Sequence, residues 1–220
     1  MTESGRQNTT DRLIDFGNDV LNFVLVFLLV VAIRTYVVAP FQVNGASMDN
    51  TLHDQEYIIV NKAVYGNFFG YQIGEPKRGD IVVLEPPLER KIYYIKRIIG
   101  LPGETVKFEG NQVIIINKEH PKGFVLEEDY PRCVEQEGTT KVNTCSYANV
   151  AQREFTVPEN SYFVMGDNRM NSTDSRFCFS SCSAQNATPF LDKSHIIGKT
   201  YAVIWPFSDA KRVQKVTYDQ

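Results

Sequence analysis

The chain has 220 residues, 43% of them hydrophobic and 12% aromatic, which suits one sizeable domain or two small ones with a β-rich core and excludes a disordered tail. A formal net charge of -3 leaves no basic excess for a phosphate backbone, and no Cys/His array has zinc-finger spacing, so nucleic-acid partners are set aside.

Residues 1 to 19 are polar, with Arg6 and Arg12 against Glu3, Asp11, Asp15 and Asp19, and read as a mobile lead-in. From Val20 to Ile33 fourteen residues carry no charge and only Asn22 is polar; Arg34 and Thr35 then interrupt. A membrane span takes about 20 residues, so an anchor helix over 20–39 requires Arg34 to snorkel and the apolar run to continue toward Val38. The alternatives are a cleaved signal peptide and a buried helix. Ala39-Pro40 is a poor small-x-small cleavage site and the lead-in is not net positive, which favours a retained anchor. Arg6 and Arg12 before the span, against Arg34 after it, favour the N-terminus inside.

Past residue 41 the texture changes to β-branched and aromatic runs, and strands are predicted at 57–60, 80–84, 92–99, 105–108, 112–116, 161–164 and 201–205. Turn signals at Lys77-Arg78-Gly79-Asp80, Leu101-Pro102-Gly103-Glu104 and Glu109-Gly110-Asn111 separate them. The predicted fold class is mainly β, of sandwich or barrel type, with a catalytic domain over 40–116 and 154–207. Two intervals without strand texture, Asn117 to Arg153 and Arg176 to His195, read as loop-rich insertions, and 208–220 as a tail.

Three stretches of this domain carry chemistry. Gly45-Ala46-Ser47-Met48-Asp49-Asn50-Thr51-Leu52 is a small-residue turn in which Ser47 stands between Ala46 and Met48; this suits a displayed nucleophile and is equally ordinary turn chemistry. In the strand 92–99, period-2 alternation sets Lys96 in one row with Ile92, Tyr94 and Ile98. Such a lysine either snorkels from an edge strand or, desolvated, loses its proton and becomes a base for a serine. Gly166 to Arg176 holds one apolar side chain in eleven, and reads either as a solvated hairpin loop or as a polar cluster in which Asp174 and Arg176 pair and Ser172 reaches a buried amine. No pattern assigns His53, His120 or His195 a role in a triad.

Together these stretches resemble the bacterial type I signal peptidases, or leader peptidases. The resemblance rests on Pro40-Phe41-Gln42-Val43 leading to Ser47-Met48-x-x-Thr51, Val60-Asn61-Lys62 with Tyr65-Gly66, Arg78-Gly79-Asp80-Ile81-Val82, Tyr94 to Gly103, and Gly166-Asp167-Asn168-Arg169 through Ser172 to Asp174-Ser175-Arg176, in that order. It implies a membrane-bound serine endopeptidase that removes signal peptides from exported preproteins after small-x-small sites. Ser47 would be the nucleophile, uncharged Lys96 the base, Ser172 the group orienting the amine, and Asp174 with Arg176 the supporting pair. Phe41, Val43, Met48, Tyr94 and Ile95 match positions lining the pockets for the first and third residues before the cut. The chain departs from the family at Asn50, where many relatives have Pro, and at Gly45, where some have a serine that helps hold the oxyanion.

The resemblance also implies a cytoplasmic N-terminus, one anchor in the lipid bilayer of the inner membrane, and a catalytic domain on its outer face. No cofactor and no metal are expected: a metal reading of Cys178-x3-Cys182 with His195 is disfavoured, because that spacing without a second close pair suits zinc poorly. Four cysteines agree with an oxidising compartment; Cys133 with Cys145 and Cys178 with Cys182 are the simplest of three pairings. Tyr65, Phe68, Phe69 and Tyr71 lie in a Gly-containing turn and read either as interfacial aromatics or as ordinary core. The rival readings are a related Ser-Lys processing peptidase with another target and a non-catalytic, membrane-anchored β domain that binds exported chains.

Overall fold

The structure, a computed structural model, describes residues 3–220 except 69–70, 90, 130, 132, 134–144, 146, 148, 214–215, 217 and 219–220. Two compact units divide it, Met1–Ala39 and Pro40–Gln220.

The first unit is built on helix α1, Glu3–Tyr36. The polar segment is therefore not an irregular lead-in: one helix starts within it and ends at Tyr36, three residues short of the expected anchor boundary. Leu, Val and Phe with few breakers carry the helix, Arg34 in its last turn suits the negative end of the dipole, and Pro40 shortly afterwards bars its continuation. Asp11–Tyr36 is long and apolar enough to cross a membrane: its 26 residues rise about 39 Å, against a hydrocarbon core of about 30 Å. Leu25, Phe27 and Leu29 on it are all more than half exposed, so no protein core claims them.

In chain order the strands are β1 Val38–Gln42, β2 Tyr57–Asn61, β3 Asn67–Phe68, β4 Tyr71–Gln72, β5 Ile81–Leu84, β6 Tyr94–Gly100, β7 Thr105–Glu109, β8 Gln112–Ile116, β9 Phe124–Val125, β10 Glu154–Thr156, β11 Ser161–Met165, β12 Leu191–Asp192, β13 Ile196–Trp205 and β14 Lys211–Arg212. The large sheet runs β1-β2-β13-β5-β6-β11-β12 with β14 beside β13; the second runs β10-β7-β8-β9. The predicted strands are all present. β6 begins at Tyr94 rather than Ile92, and β13 begins at Ile196, five residues before the expected 201. The intervals read as loop-rich contain β9 and β12, each of two residues and too short to show alternation.

β6 is the hinge of the architecture. It pairs with β5 through Tyr94↔Leu84, Ile95↔Val83, Lys96↔Val82 and Arg97↔Ile81, but with β11 only from Arg97 onward, so its first three residues keep an open edge on that side. The sheet curls until Phe41 of β1 meets Tyr93 edge to face, with ring centroids 5.4 Å apart. Two clusters fill the sheet: Val43, Met48, Leu52, Ile58, Val60, Ile81, Val83 and Val203 in one, and Val82, Leu84, Ile98, Tyr162, Val164, Phe179 and Leu191 in the other. A third joins the second sheet to Ile99, Phe163 and Met165, and takes in Leu126, Tyr147 and the two cysteines Cys133 and Cys145. The structure pairs Cys133 with Cys145 and Cys178 with Cys182, at Cα separations of 4.9 and 5.0 Å. In the Gly-containing aromatic turn Tyr65 donates its hydroxyl to buried Asp80 at 2.6 Å, which ties it into the domain; Phe69 lies outside the described residues.

Candidate active site

The turn after β1 tightens at once: the N–H groups of Thr51 and Leu52 donate to the Met48 carbonyl, and Gly45 takes φ +94°, a backbone region that favours glycine. Gly45 N–H is fixed on Asp54 Oδ1 at 2.7 Å. Met48, 1% exposed, is the plug that anchors the turn in the core and leaves Ser47 half-buried at its apex.

Lys96 is 3% exposed, so it does not snorkel. Its Nζ donates to Ser47 Oγ at 2.8 Å and to the Ile95 carbonyl at 2.9 Å, and stands 5.2 Å from the centroid of the Tyr94 ring. Desolvation disfavours the ammonium and brings its pKa down to about 8, with Arg176 acting in the same sense and Asp174 and Asp167 against it. No histidine takes this place: His53 pairs with Asp49, His120 packs on Phe124, and His195 contacts the Glu85 carbonyl.

Gly166 to Arg176 is not a solvated hairpin loop, since Asp167, Asn168, Arg169, Asp174, Ser175 and Arg176 are all buried. Asp174 and Arg176 do pair, Nε to Oδ1 at 2.9 Å and Nη2 to Oδ2 at 2.7 Å, and Asp174 Oδ2 accepts the Gly166 N–H at 3.0 Å. Burial pushes the Asp174 carboxyl up, but the Arg176 guanidinium and the Gly166 N–H outweigh it and hold it below the ordinary carboxylate range. Gly166 has no room for a side chain: a Cβ there would stand 2.2 Å from Ser172 Oγ and 2.4 Å from the Ser47 carbonyl oxygen.

Three bonds clasp this loop to the serine turn. Asn168 N–H donates to the Ser47 carbonyl at 3.0 Å, Asn168 Nδ2 to the Ala46 carbonyl at 2.9 Å, and the Thr51 hydroxyl to Asp167 Oδ2 at 2.6 Å. Asp167 is in turn gripped by Arg97, Nε to Oδ1 at 2.8 Å and Nη2 to Oδ2 at 2.6 Å, both side chains being essentially inaccessible. Backbone and side-chain donors therefore hold the serine turn from behind, and among the described residues no acceptor takes the Ser47 N–H.

The family model described as "Signal peptidase, peptidase S26" matches residues 17–205. The chain belongs to this peptidase family. It is 31% identical to Signal peptidase I of Pseudomonas aeruginosa, over 93% of this chain and 76% of that one. It is 34% identical to Signal peptidase I of Bacillus licheniformis, over 96% and 99%, and 34% identical to Signal peptidase I T of Bacillus subtilis, over 97% and 96%. A crystal structure of a signal peptidase I from Enterococcus faecalis is 32% identical, covers 57% of this chain and 96% of that one, and has a TM-score of 0.40.

Within this signal peptidase family member the structure brings Ser47 and Lys96 together, and gathers Phe41, Val43, Met48 and Ile95 into one apolar cluster beside them. Tyr94 belongs to the cluster on the opposite face of β6 and meets the lysine instead. Ser172 Oγ is buried beside Asp174, whose carboxyl it helps hold low, and does not bond Lys96. Cys133, Cys145, Cys178 and Cys182 are engaged in disulfides, and no cluster of three metal-ligating side chains occurs among the described residues. Sequence reasoning missed the work of Arg97, Asp167 and Asn168. The signal was present: an arginine between Ile95 and Ile99 is a charge in a buried strand, and a buried charge demands a partner.

Proposed function

We propose that the chain is a membrane-anchored serine endopeptidase that removes signal peptides from exported preproteins after small-x-small sites, with Ser47 as nucleophile and neutral Lys96 as general base. The observation that carries the reading is the 2.8 Å contact from Lys96 Nζ to Ser47 Oγ inside a site that strips the amine of water.

Lys96 takes the hydroxyl proton as Ser47 Oγ attacks the scissile carbonyl, and the Ser47 N–H donates to the oxygen that becomes negative. The Lys96 ammonium then protonates the departing amine, the mature chain leaves, and water assisted by the same amine hydrolyses the acyl-serine. Gly45 offers no hydroxyl to the oxyanion. Ser172, next to the Gly166 notch, does not bond the amine in the resting structure and would turn to it during proton transfer, and Asp174 with Arg176 holds the backbone of that notch. The open edges of β1 and of β6 at residues 94–96 accept an extended peptide, with Phe41, Val43, Met48 and Ile95 beneath it and Tyr94 flanking the lysine. Shallow apolar ground of this kind selects small side chains by excluding bulk. The helix Asp11–Tyr36 anchors the enzyme with its N-terminus in the cytoplasm and its catalytic unit on the outer face of the inner membrane.

The test is cleavage of a preprotein with a small-x-small site in detergent or lipid. Wild type is expected to release the mature chain there, and Ser47→Ala and Lys96→Ala, folded, to lose at least about 10³-fold in rate. Full activity in Lys96→Ala, or no cleavage by wild type of several such substrates, overturns the reading.

A further inference from the structure

The insertion Asn117 to Arg153 has no part in the Ser47–Lys96 contact, yet two of its side chains, Glu128 and Tyr147, hold an arginine of the 166–176 loop. Arg169, 3% exposed, donates from Nη1 to Glu128 Oε2 at 2.5 Å and to the Tyr147 hydroxyl at 2.6 Å, and from Nη2 to Glu128 Oε1 at 2.5 Å. The inner half of the same residue serves the site. Its Nε donates to the Gly166 carbonyl at 3.1 Å, and its own carbonyl accepts Arg176 Nη1 at 2.8 Å.

The two grips come from the two arms of the Cys133–Cys145 closure, Glu128 on one side and Tyr147 on the other. Tyr147 is 1% exposed, its ring 4.9 Å from that of Phe108 in the core of the second sheet, so its hydroxyl has a fixed position. A guanidinium held bidentate by one carboxylate and capped by a phenol has little freedom to turn. Gly166 therefore hangs from a point set by the second sheet, and Gly166 is where Ser47 and Ser172 pass within side-chain distance.

We propose that Glu128 and Tyr147 are positioning residues for the peptidase reaction: through Arg169 they set the height of Gly166 and Arg176 under the dyad, and this bracing is the function of the insertion. The proposal rests on the Ser47–Lys96 reading. It differs from a purely stabilising role because a shift of the notch alters the reacting geometry without touching the ground on which the substrate lies. Small misplacements of that kind cost rate rather than binding.

The experiment is steady-state cleavage of a signal-peptide substrate by the full chain in detergent, well below the thermal midpoint of each variant. Glu128→Gln keeps the volume and removes the charge; its kcat is expected to fall about tenfold or more while KM stays within about twofold. Tyr147→Phe keeps the ring in the core and is expected to lower kcat about threefold. Wild-type kcat in folded Glu128→Gln, with only the thermal midpoint lowered, overturns the proposal. If Glu128→Gln does not fold, Tyr147→Phe decides it alone, and unchanged kcat there overturns it. A wild-type chain that cleaves nothing defeats the earlier reading instead, so the two failures are distinct.

Discussion

On the proposed mechanism Lys96 acts as a base only after losing its proton, so a pKa brought down to about 8 by burial predicts where activity sets in. The acid limb of kcat/KM is expected to rise through about pH 8 and to fall about tenfold per pH unit below it. A profile that is flat from pH 6 to 9 would remove Lys96 from the mechanism. Stability has its own sign. Between about 8 and the ordinary lysine value of 10.5 the unfolded chain holds the Lys96 proton and the folded chain does not, so this group makes unfolding harder as pH rises through that window. Asp174, held low, acts at the other end: its contribution is complete above the ordinary carboxylate pKa and is lost as acid titrates the folded form.

At the scale of elements, the site exists because β11 stops at Met165 and delivers a glycine against the serine turn. Gly166→Ala is expected to lower kcat by about 10²-fold, since the new methyl runs into both the Ser47 carbonyl and the Ser172 hydroxyl. The cost in stability is expected to be about 1–3 kcal/mol, that of overpacking. Kinetics together with a denaturant midpoint would check it, and wild-type kcat in a folded variant would show that the loop yields without harm. This crowding is invisible in a sequence, whereas much else was legible. Alternation and turn punctuation located the central strands, and several motifs in one order located Ser47, Lys96 and the Asp174–Arg176 pair. Two-residue strands such as β9 and β12 have no period to read. The helical nature of residues 3–19 was missed because a polar stretch shows no apolar stripe and carries Gly5, Gly17 and several Asn and Thr, residues that disfavour a helix without stopping this one. Glu128 escaped notice because its partner lies 41 positions away and leaves no local signature.

For the whole molecule, both disulfides fall in the Pro40–Gln220 unit and all four cysteines are used. That agrees with the proposal that this unit faces an oxidising compartment. Reduction is expected to expose four thiols to a maleimide and to lower the thermal midpoint. Closing the thirteen residues from Cys133 to Cys145 removes unfolded-state freedom equivalent to about 3 kcal/mol. An unchanged midpoint after complete reduction would show that the bridges are ornaments of a core already sufficient.

The clasp between the serine turn and the Asp167–Asn168 loop joins positions more than 110 residues apart along the chain. During synthesis, then, the serine turn emerges more than 110 residues before the loop that clasps it. Even then the sheet is incomplete, because β13, which lies between β2 and β5, follows that loop in the chain; on the proposed mechanism a nascent copy therefore holds Ser47 without a seated partner until the late strands close the sheet.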